Sequence, residues 1–180
     1  LTAGTGVTAR TRADGTVEYV LDTPRSVTIT AAGANTATYT VTGYDVYGQR
    51  MSQTLAAPST STVSTTKMFK TVVSITNANA AAGTNNLTAG YGDLIGLPYR
   101  LLSRDYVVGS NFNATAVALS AYTVADQTSP ATTATTDVRG YITLPSAADG
   151  TKRLVVSMAI PAIACGPNAT RIGAVGVTQV

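Results

Sequence analysis

Short stretches in which β-branched residues alternate with small or polar ones dominate the chain, and this two-residue period is typical of strands with one buried face. Gly, Pro, Asn or Asp bounds these stretches. The pattern predicts strands at 16–21, 26–31, 36–42, 50–55, 68–76, 95–102, 104–109, 115–125, 140–144, 153–160 and 172–180. No long helical period competes with them. The Ala-rich stretch 77–86 is expected to be a loop, because Asn and Gly lie at its ends.

Many short strands with frequent turns predict an all-β fold: an antiparallel β-sandwich, jelly-roll-like, with long Thr/Ser-rich loops or arms. A length of 180 residues favours a single domain over 1–180. Residues 1–15 are interpreted as an extended N-terminal arm. The stretches 56–67 and 125–140 have too little apolar side chain to pack. Each is therefore expected to be a surface loop, or an arm that becomes ordered only against a neighbouring subunit.

The clearest local unit is a hairpin over residues 36–55. Its first half alternates four threonines on one face with Ala37, Tyr39 and Val41 on the other. Asp45 and Gly48 then stand at the first and fourth positions of a turn, where they suit type I geometry. A calcium loop beginning at Asp45 is the alternative, but the further acids that such a loop needs at alternate positions are missing.

Charge and hydropathy narrow the choice of partners. Only 12% of residues are charged, and the formal net charge of +3 comes mostly from Arg spread along the chain. Nucleic-acid-binding proteins usually cluster their basic residues on one face, so no nucleic-acid partner is expected. The apolar runs end well before the roughly 18 residues of a membrane-spanning helix, so no membrane partner is expected either.

The inventory of reactive side chains is small. The chain has no His and a single Cys, Cys165, which excludes a Cys–His pair, a His-based triad and His-containing or multi-Cys zinc sites. Cys165 is interpreted as a buried structural thiol. Most Asp residues stand beside turn residues, where they typically bond their own turn instead of forming a catalytic carboxylate pair. We expect no catalytic activity, no cofactor and no metal.

The stretch GYGDLIGLPYR (90–100) invites comparison with nucleotide-binding loops. Its glycines at 90, 92 and 96 miss the G-x-G-x-x-G spacing by one residue, and Pro98 stands where a helix should run. We interpret 90–96 as a turn. Because proline cannot donate to a central ladder, we interpret the strand around Pro98 as an edge strand. An edge strand with apolar neighbours needs a cover, and another subunit is the cover expected here.

Tyr and Arg residues gather in the same region. Tyr91, Tyr99 and Tyr106 are grouped around Arg100 and Arg104. Both residue types are enriched at buried protein interfaces, so these five are the predicted interface residues. The alternative is that the tyrosines are ordinary sheet residues.

Three stretches resemble, in this order, small structural proteins of tailed-bacteriophage virions. They are VTITAAGANTATYTVTGYDVYGQRMSQTL, KMFKTVVSIT and GYGDLIGLPYRLL, which together span roughly residues 26–102, and residues 125–144 extend the resemblance. It implies a β-sandwich that assembles in many copies, as a head decoration or cement protein bound to a major capsid protein on the capsid exterior. No functional residues come with it.

Two alternatives stay open. A tail or fibre component fits the matching stretches equally well, because nothing in them separates head from tail. A secreted carbohydrate-binding or adhesin module could use the same β-sandwich. Exposed aromatic residues on one flat face and a monomeric state would favour this module, whereas ordered contacts between copies would favour the virion protein.

Overall fold

The computed structural model describes residues 1, 4, 6–33, 35–56, 58, 61–78, 87–128 and 134–159. Its regular structure consists of strands and two one-turn 3-10 helices, at Arg104–Tyr106 and Leu119–Ala121. The strands are β1 (Val7–Thr11), β2 (Val17–Ala31), β3 (Tyr39–Tyr44), β4 (Arg50–Leu55), β5 (Thr62–Ser64), β6 (Phe69–Asn77), β7 (Leu87–Gly96), β8 (Val107–Phe112), β9 (Thr115–Ala116), β10 (Tyr122–Thr123), β11 (Tyr141–Thr143) and β12 (Leu154–Met158).

The strands form two antiparallel sheets. The large sheet has the order β10-β11-β7-β2-β6-β3-β4, with β1 and β5 also paired to β2, and the small sheet has the order β12-β8-β9. The prediction of an all-β antiparallel sandwich is confirmed. The predicted strand at 172–180 and Cys165 lie outside the described residues.

Strand β2 organises the large sheet. It runs through both strands predicted at 16–21 and 26–31, which are one continuous element. Its first half pairs with β1 and β6, and its second half pairs with β5 and β7. Its ladder with β6 is irregular between Val20 and Arg25. Pro24, which has no N–H to donate, falls inside this irregularity and so does not end the strand.

Two clusters of buried apolar side chains form the core. The first lies within the curled large sheet and comprises Val7, Leu21, Val27, Ile29, Ala37, Tyr39, Val41, Met51, Leu55, Phe69 and Val72. The second includes residues of both sheets and comprises Ile95, Leu97, Leu101, Val107, Phe112, Val117, Tyr122, Ile142 and Leu144. Full burial of each larger side chain contributes about 1.5–3 kcal/mol, so both clusters stabilise the fold.

The predicted hairpin is confirmed as β3 and β4. Ala37, Tyr39 and Val41 are buried, and the threonines between them face outward. In the turn, Gly48 N–H donates to the Asp45 carbonyl at 3.2 Å. Gly48 has φ +78°, a left-handed value that glycine adopts without a steric penalty.

The interpretation of residues 90–96 as a turn is wrong, because they belong to β7. The glycines serve close packing: a Cβ on Gly92 would lie 2.5 Å from Ser26 Oγ, and one on Gly96 would lie 2.7 Å from Met68 Cβ. The edge-strand interpretation is also wrong. β7 lies between β2 and β11, and Pro98 follows the end of the strand, so its missing N–H affects no ladder.

Several other predicted strands are shorter or shifted. The stretch 95–102 contributes only residues 95–96 to a strand, and 104–109 begins with the 3-10 helix Arg104–Tyr106 before β8. The stretch 115–125 contains two-residue strands on either side of the helix Leu119–Ala121. Within 1–15, the stretch interpreted as an arm, residues 7–11 form β1 and pair with residues 17–21 of the same chain.

The described parts of the two Thr-rich stretches make hydrogen bonds within the chain, which favours the surface-loop alternative over an arm that needs a neighbouring subunit. Thr65 is fully buried, and its Oγ1 accepts from Val27 N–H at 2.8 Å. Thr66 Oγ1 donates to the Thr135 carbonyl at 2.6 Å, which ties one stretch to the other. Hydroxyl groups supply the order that apolar side chains do not.

Candidate functional site

Several of the described acids make hydrogen bonds or ion pairs within the fold. Asp14 and Asp149 accept hydrogen bonds from residues of their own turns, as predicted for such positions. Glu18 is fully buried and bonds Arg10 and Arg12. Among the described residues, no three His, Cys, Asp or Glu side chains are grouped so that they could hold a metal ion. In the same part of the chain, no helix has the length and apolar character needed to cross a membrane.

A buried ion pair joins the β3–β4 turn to the loop before β11. Arg139 Nη2 donates to Asp45 Oδ2 at 2.5 Å, and the two side chains are 2% and 0% exposed. The other Asp45 oxygen, Oδ1, accepts from the backbone N–H groups of Tyr47 and Gln49, at 2.8 Å each. A buried carboxylate with three such donors is well satisfied. The turn is thereby fixed to residues far away in sequence.

Asp137 and Lys67 surround this pair with further charge. Asp137 accepts from Arg139 N–H at 2.9 Å and from Met68 N–H at 3.0 Å. Burial raises the pKa of Asp137 above its ordinary value, against the opposing effect of the Arg139 charge. Burial lowers the pKa of Lys67, while the nearby carboxylates of Asp137 and Asp126 oppose that change. Asp45, Lys67, Asp137 and Arg139 thus form a polar cluster beneath the surface, which we call the polar base.

Two exposed tyrosines, Tyr47 and Tyr99, lie above the polar base; we call them the aromatic pair. They are 44% and 42% exposed. Tyr47 Oη donates at 2.7 Å to the carbonyl of Pro98, the residue that precedes Tyr99. The Arg139 guanidinium lies 5.3 Å from the centre of the Tyr47 ring, within the range of a cation–π contact. Burial raises the pKa of Tyr47, and the Arg139 charge opposes this shift.

Tyr99 also borders an apolar groove between the two sheets. The groove is lined by Thr23, Ile95, Gly96, Leu97, Pro98, Tyr99, Leu154, Val156 and Met158. Thr23 belongs to β2, and Leu154, Val156 and Met158 belong to β12. The others come from the end of β7 and from the bend that follows it. The aromatic pair and the groove thus share one residue and form a continuous candidate contact surface.

The structure gives the five predicted interface residues different environments. Tyr91 is half-buried on β7, where the Arg25 guanidinium lies 4.4 Å from its ring centre. Tyr106 packs against the second core cluster. Arg104 is exposed and donates from Nε to the Tyr122 carbonyl at 2.7 Å. Arg100 is half-buried. Tyr99 is the only one of the five with a largely exposed ring, so the set forms no single exposed patch.

Sequence reasoning missed Tyr47 and Arg139. A large aromatic residue in a four-residue hairpin turn indicates an exposed contact residue, because the middle of such a turn is exposed to solvent. Arg139 offered no comparable signal. Its partner Asp45 could be assigned from sequence only to its own turn.

The chain was compared with protein-family models, with curated proteins and with solved structures, and none of them matches it.

Proposed function

We propose that this protein is a structural component of a bacteriophage virion, a decoration or cement protein on the capsid exterior that binds the major capsid protein and further copies of itself. The resemblance of residues 26–102 is the starting point. Its contacts would be made by shape and hydrogen bonding, since few charges are available.

The observation that carries the proposal is the aromatic pair on the polar base. Tyr side chains offer large, flat contact area with a polar end and lose little conformational freedom on binding. Tyr47 is already held by its bond to the Pro98 carbonyl and by Arg139. A contact surface that is ordered before association avoids part of the entropic cost of binding. Such preorganisation suits a subunit that must dock repeatedly in one geometry.

Rebinding to particles tests this proposal. Heads of the source virion are stripped of the protein and incubated with the parent chain, with Tyr47→Ala and with Tyr99→Ala. Truncating a central interface aromatic typically costs about 2 kcal/mol, or roughly 30-fold in affinity. Leu119→Ala is the matched control, because Leu119 is 47% exposed and lies away from the pair in sequence. Each variant is first shown to fold by thermal melting.

The outcomes separate the alternatives. Loss of head binding with both Tyr variants and not with the control supports the proposal. If the parent chain does not bind stripped heads, a head-decoration role is excluded. Immunogold labelling of intact virions then reports whether the protein is a tail or fibre component instead.

A carbohydrate-binding or adhesin module is the second candidate, and the same aromatic pair favours it. An exposed aromatic ring can stack on the apolar face of a sugar, and its hydroxyl group can bond sugar oxygens. An array of bacterial surface polysaccharides probed with the parent chain and with Tyr99→Ala tests this role. Binding to one glycan class that Tyr99→Ala abolishes would favour the adhesin.

A further inference from the structure

The small sheet leaves one side of β12 open. Within the described part of the chain, β12 pairs only with β8. Asn113 N–H, in the turn after β8, donates to the Arg153 carbonyl at 3.0 Å. Because successive residues of an antiparallel strand alternate in hydrogen-bonding direction, Leu154 and Val156 turn their N–H and C=O groups toward the open side. Among the residues that the structure describes, these backbone donors and acceptors have no partner.

Within the described part of the chain, this edge lacks the protection that edge strands usually carry. Its sequence is LVVSM, with no charge and no proline. Natural edge strands are commonly blocked by Lys, Pro, a bulge or a covering loop. Here the irregular pairing lies only at the end of the strand, between Ser157 and Met158. An apolar, uncharged edge of this kind favours addition of another strand.

The groove described above lies beside the same edge. Leu154, Val156 and Met158 line it from β12, facing residues at the end of β7. Val155, on the other face of the strand, is 45% exposed. A strand added to β12 would place its alternate side chains over the groove and the others beside Val155. The added strand must therefore be apolar on at least one face.

We propose that the added strand is β12 of a second copy, paired antiparallel about a two-fold axis, so that two three-stranded sheets become one six-stranded sheet. A two-fold contact needs no second, complementary surface, because the same strand supplies both sides. β12 meets the requirement of the groove, since its residues at alternate positions are Leu154, Val156 and Met158. This proposal does not depend on the virion role.

The charges around the strand favour the antiparallel arrangement. Lys152 and Arg153 precede β12. Lys152 is paired with Asp149 at 3.5 Å, so Arg153 is the cation to consider. Antiparallel pairing centred on Val156 separates Arg153 of the two copies by about 20 Å along the strands, whereas parallel pairing would place the two side by side. β8 runs antiparallel to β12, so exposed Asp105 and Arg104 lie near the opposite end. Arg104 is directed to the Tyr122 carbonyl. Asp105 accepts from the Ser103 hydroxyl at 2.9 Å and supplies the negative charge that would attract Arg153 of the second copy.

Sedimentation equilibrium of the full chain tests the proposal. The parent is expected to show a concentration-dependent dimer. Val155→Lys would place two added cations close to each other across the two-fold axis, and should weaken the dimer on the order of tenfold or more. Val108→Lys is the matched control. Val108 is more exposed, at 74%, but lies on β8, the central strand of the same sheet.

Disulfide cross-linking keeps the test decisive if a Lys variant folds poorly. In a Cys165→Ser background, Val155→Cys is mixed with Ser157→Cys under mild oxidation. Pairing centred on Val156 predicts a cross-linked heterodimer at a higher yield than any dimer of Val108→Cys. The yields report register as well as association.

Two results would overturn the proposal. One is a parent chain that stays monomeric up to about millimolar concentration and gives no more cross-linking than Val108→Cys. The other is a dimer that forms only when the chain is truncated after Ala159 and not with the full chain. That result would mean that the chain's own C-terminal segment covers the edge.

Discussion

Arg139 donates to Asp45 at 2.5 Å although 94 residues separate the two positions, and both side chains are almost completely buried. A buried ion pair is weak evidence of net stabilisation, but removal of one partner leaves an uncompensated charge in the interior. The pair also fixes the turn that carries Tyr47 against the loop before β11, and the carbonyls of Arg139 and Gly140 in that loop accept from the N–H groups of Leu101 and Leu97, on either side of the Pro98 bend. Its main consequence is therefore geometric: it sets the position of the aromatic pair.

We expect Arg139→Met to reduce the free energy of unfolding by about 3–5 kcal/mol, because Asp45 is then buried without its cation. The double variant Asp45→Asn/Arg139→Met should recover part of this loss, since no buried charge remains at the pair. Urea unfolding of the parent, Arg139→Met, Asp45→Asn and the double variant measures the coupling. Lys152→Met is the control, because its ion pair with Asp149 is exposed at the surface and should contribute less than about 1 kcal/mol. Equal losses for Arg139→Met and Lys152→Met would contradict the prediction.

Gly43 should be far less tolerant of a side chain than Gly109. A Cβ on Gly43 would lie 2.0 Å from the Thr71 carbonyl oxygen, whereas a Cβ on Gly109 meets nothing within 4 Å. Gly43→Ala must push β3 away from β6, and overpacking of this kind costs about 1–3 kcal/mol or more. Gly109→Ala should change stability by less than about 0.5 kcal/mol. Melting temperatures of the two variants provide the comparison, and similar values would argue against the close strand packing at Gly43.

The first Thr-rich loop should be ordered in the isolated protein. Gln53 Oε1 accepts from the backbone N–H groups of both Thr66 and Lys67, at 2.9 Å each. Hydrogen exchange in the free protein should therefore show protection of these two amides. Gln53→Ala should remove it, while Ser52→Ala, a change at an exposed neighbour, should not. Fast exchange of both amides in the parent chain would contradict this prediction and favour an arm that becomes ordered only against a neighbouring subunit.

The second Thr-rich loop should weaken in acid. The Thr128 hydroxyl and backbone N–H, together with the N–H groups of Thr135 and Thr136, hold the pKa of Asp126 well below its ordinary value. Because the folded state then binds fewer protons, the stabilisation is present above about pH 4, the pKa of an Asp in the unfolded chain, and is lost as the pH falls toward the folded-state pKa.

Asp126→Asn isolates this contribution. At pH 7 the variant should be less stable than the parent by about 1 kcal/mol, a value for hydrogen bonds that solvent partly screens. The difference in the free energy of unfolding between variant and parent should become smaller as the pH falls to about 2. Urea midpoints at several pH values measure it, and a difference that stays constant over this range would show that the charge of Asp126 is unimportant.

The strands with a clear two-residue period could be predicted from the sequence, because alternation alone decides which face is buried. β3 and β4 are the best case. β7 could not be predicted, because its closely spaced glycines are typical of a turn. Only the structure shows that Ser26 and Met68 pack so closely against this strand that glycine is required. The Arg139–Asp45 contact was equally inaccessible, because it depends on the three-dimensional path of the chain and not on local spacing. Of the five predicted site residues, Tyr99 and Arg104 are exposed, and Tyr99 alone among them lines the groove.

The order of the strands also determines when the protein can fold. β2 takes its neighbours from β6 and β7, which lie some 50 to 70 residues later in the sequence. Pairings between such distant segments form slowly, because a long loop must close before any contact is gained. During synthesis, β2 therefore has only β1 beside it until β5 and β6 have left the ribosome, and its last partner, β7, is complete only when Gly96 has emerged. The nascent chain passes through a long interval in which β2 is only partly paired, and a chaperone that shields β2 should raise the yield of folded protein.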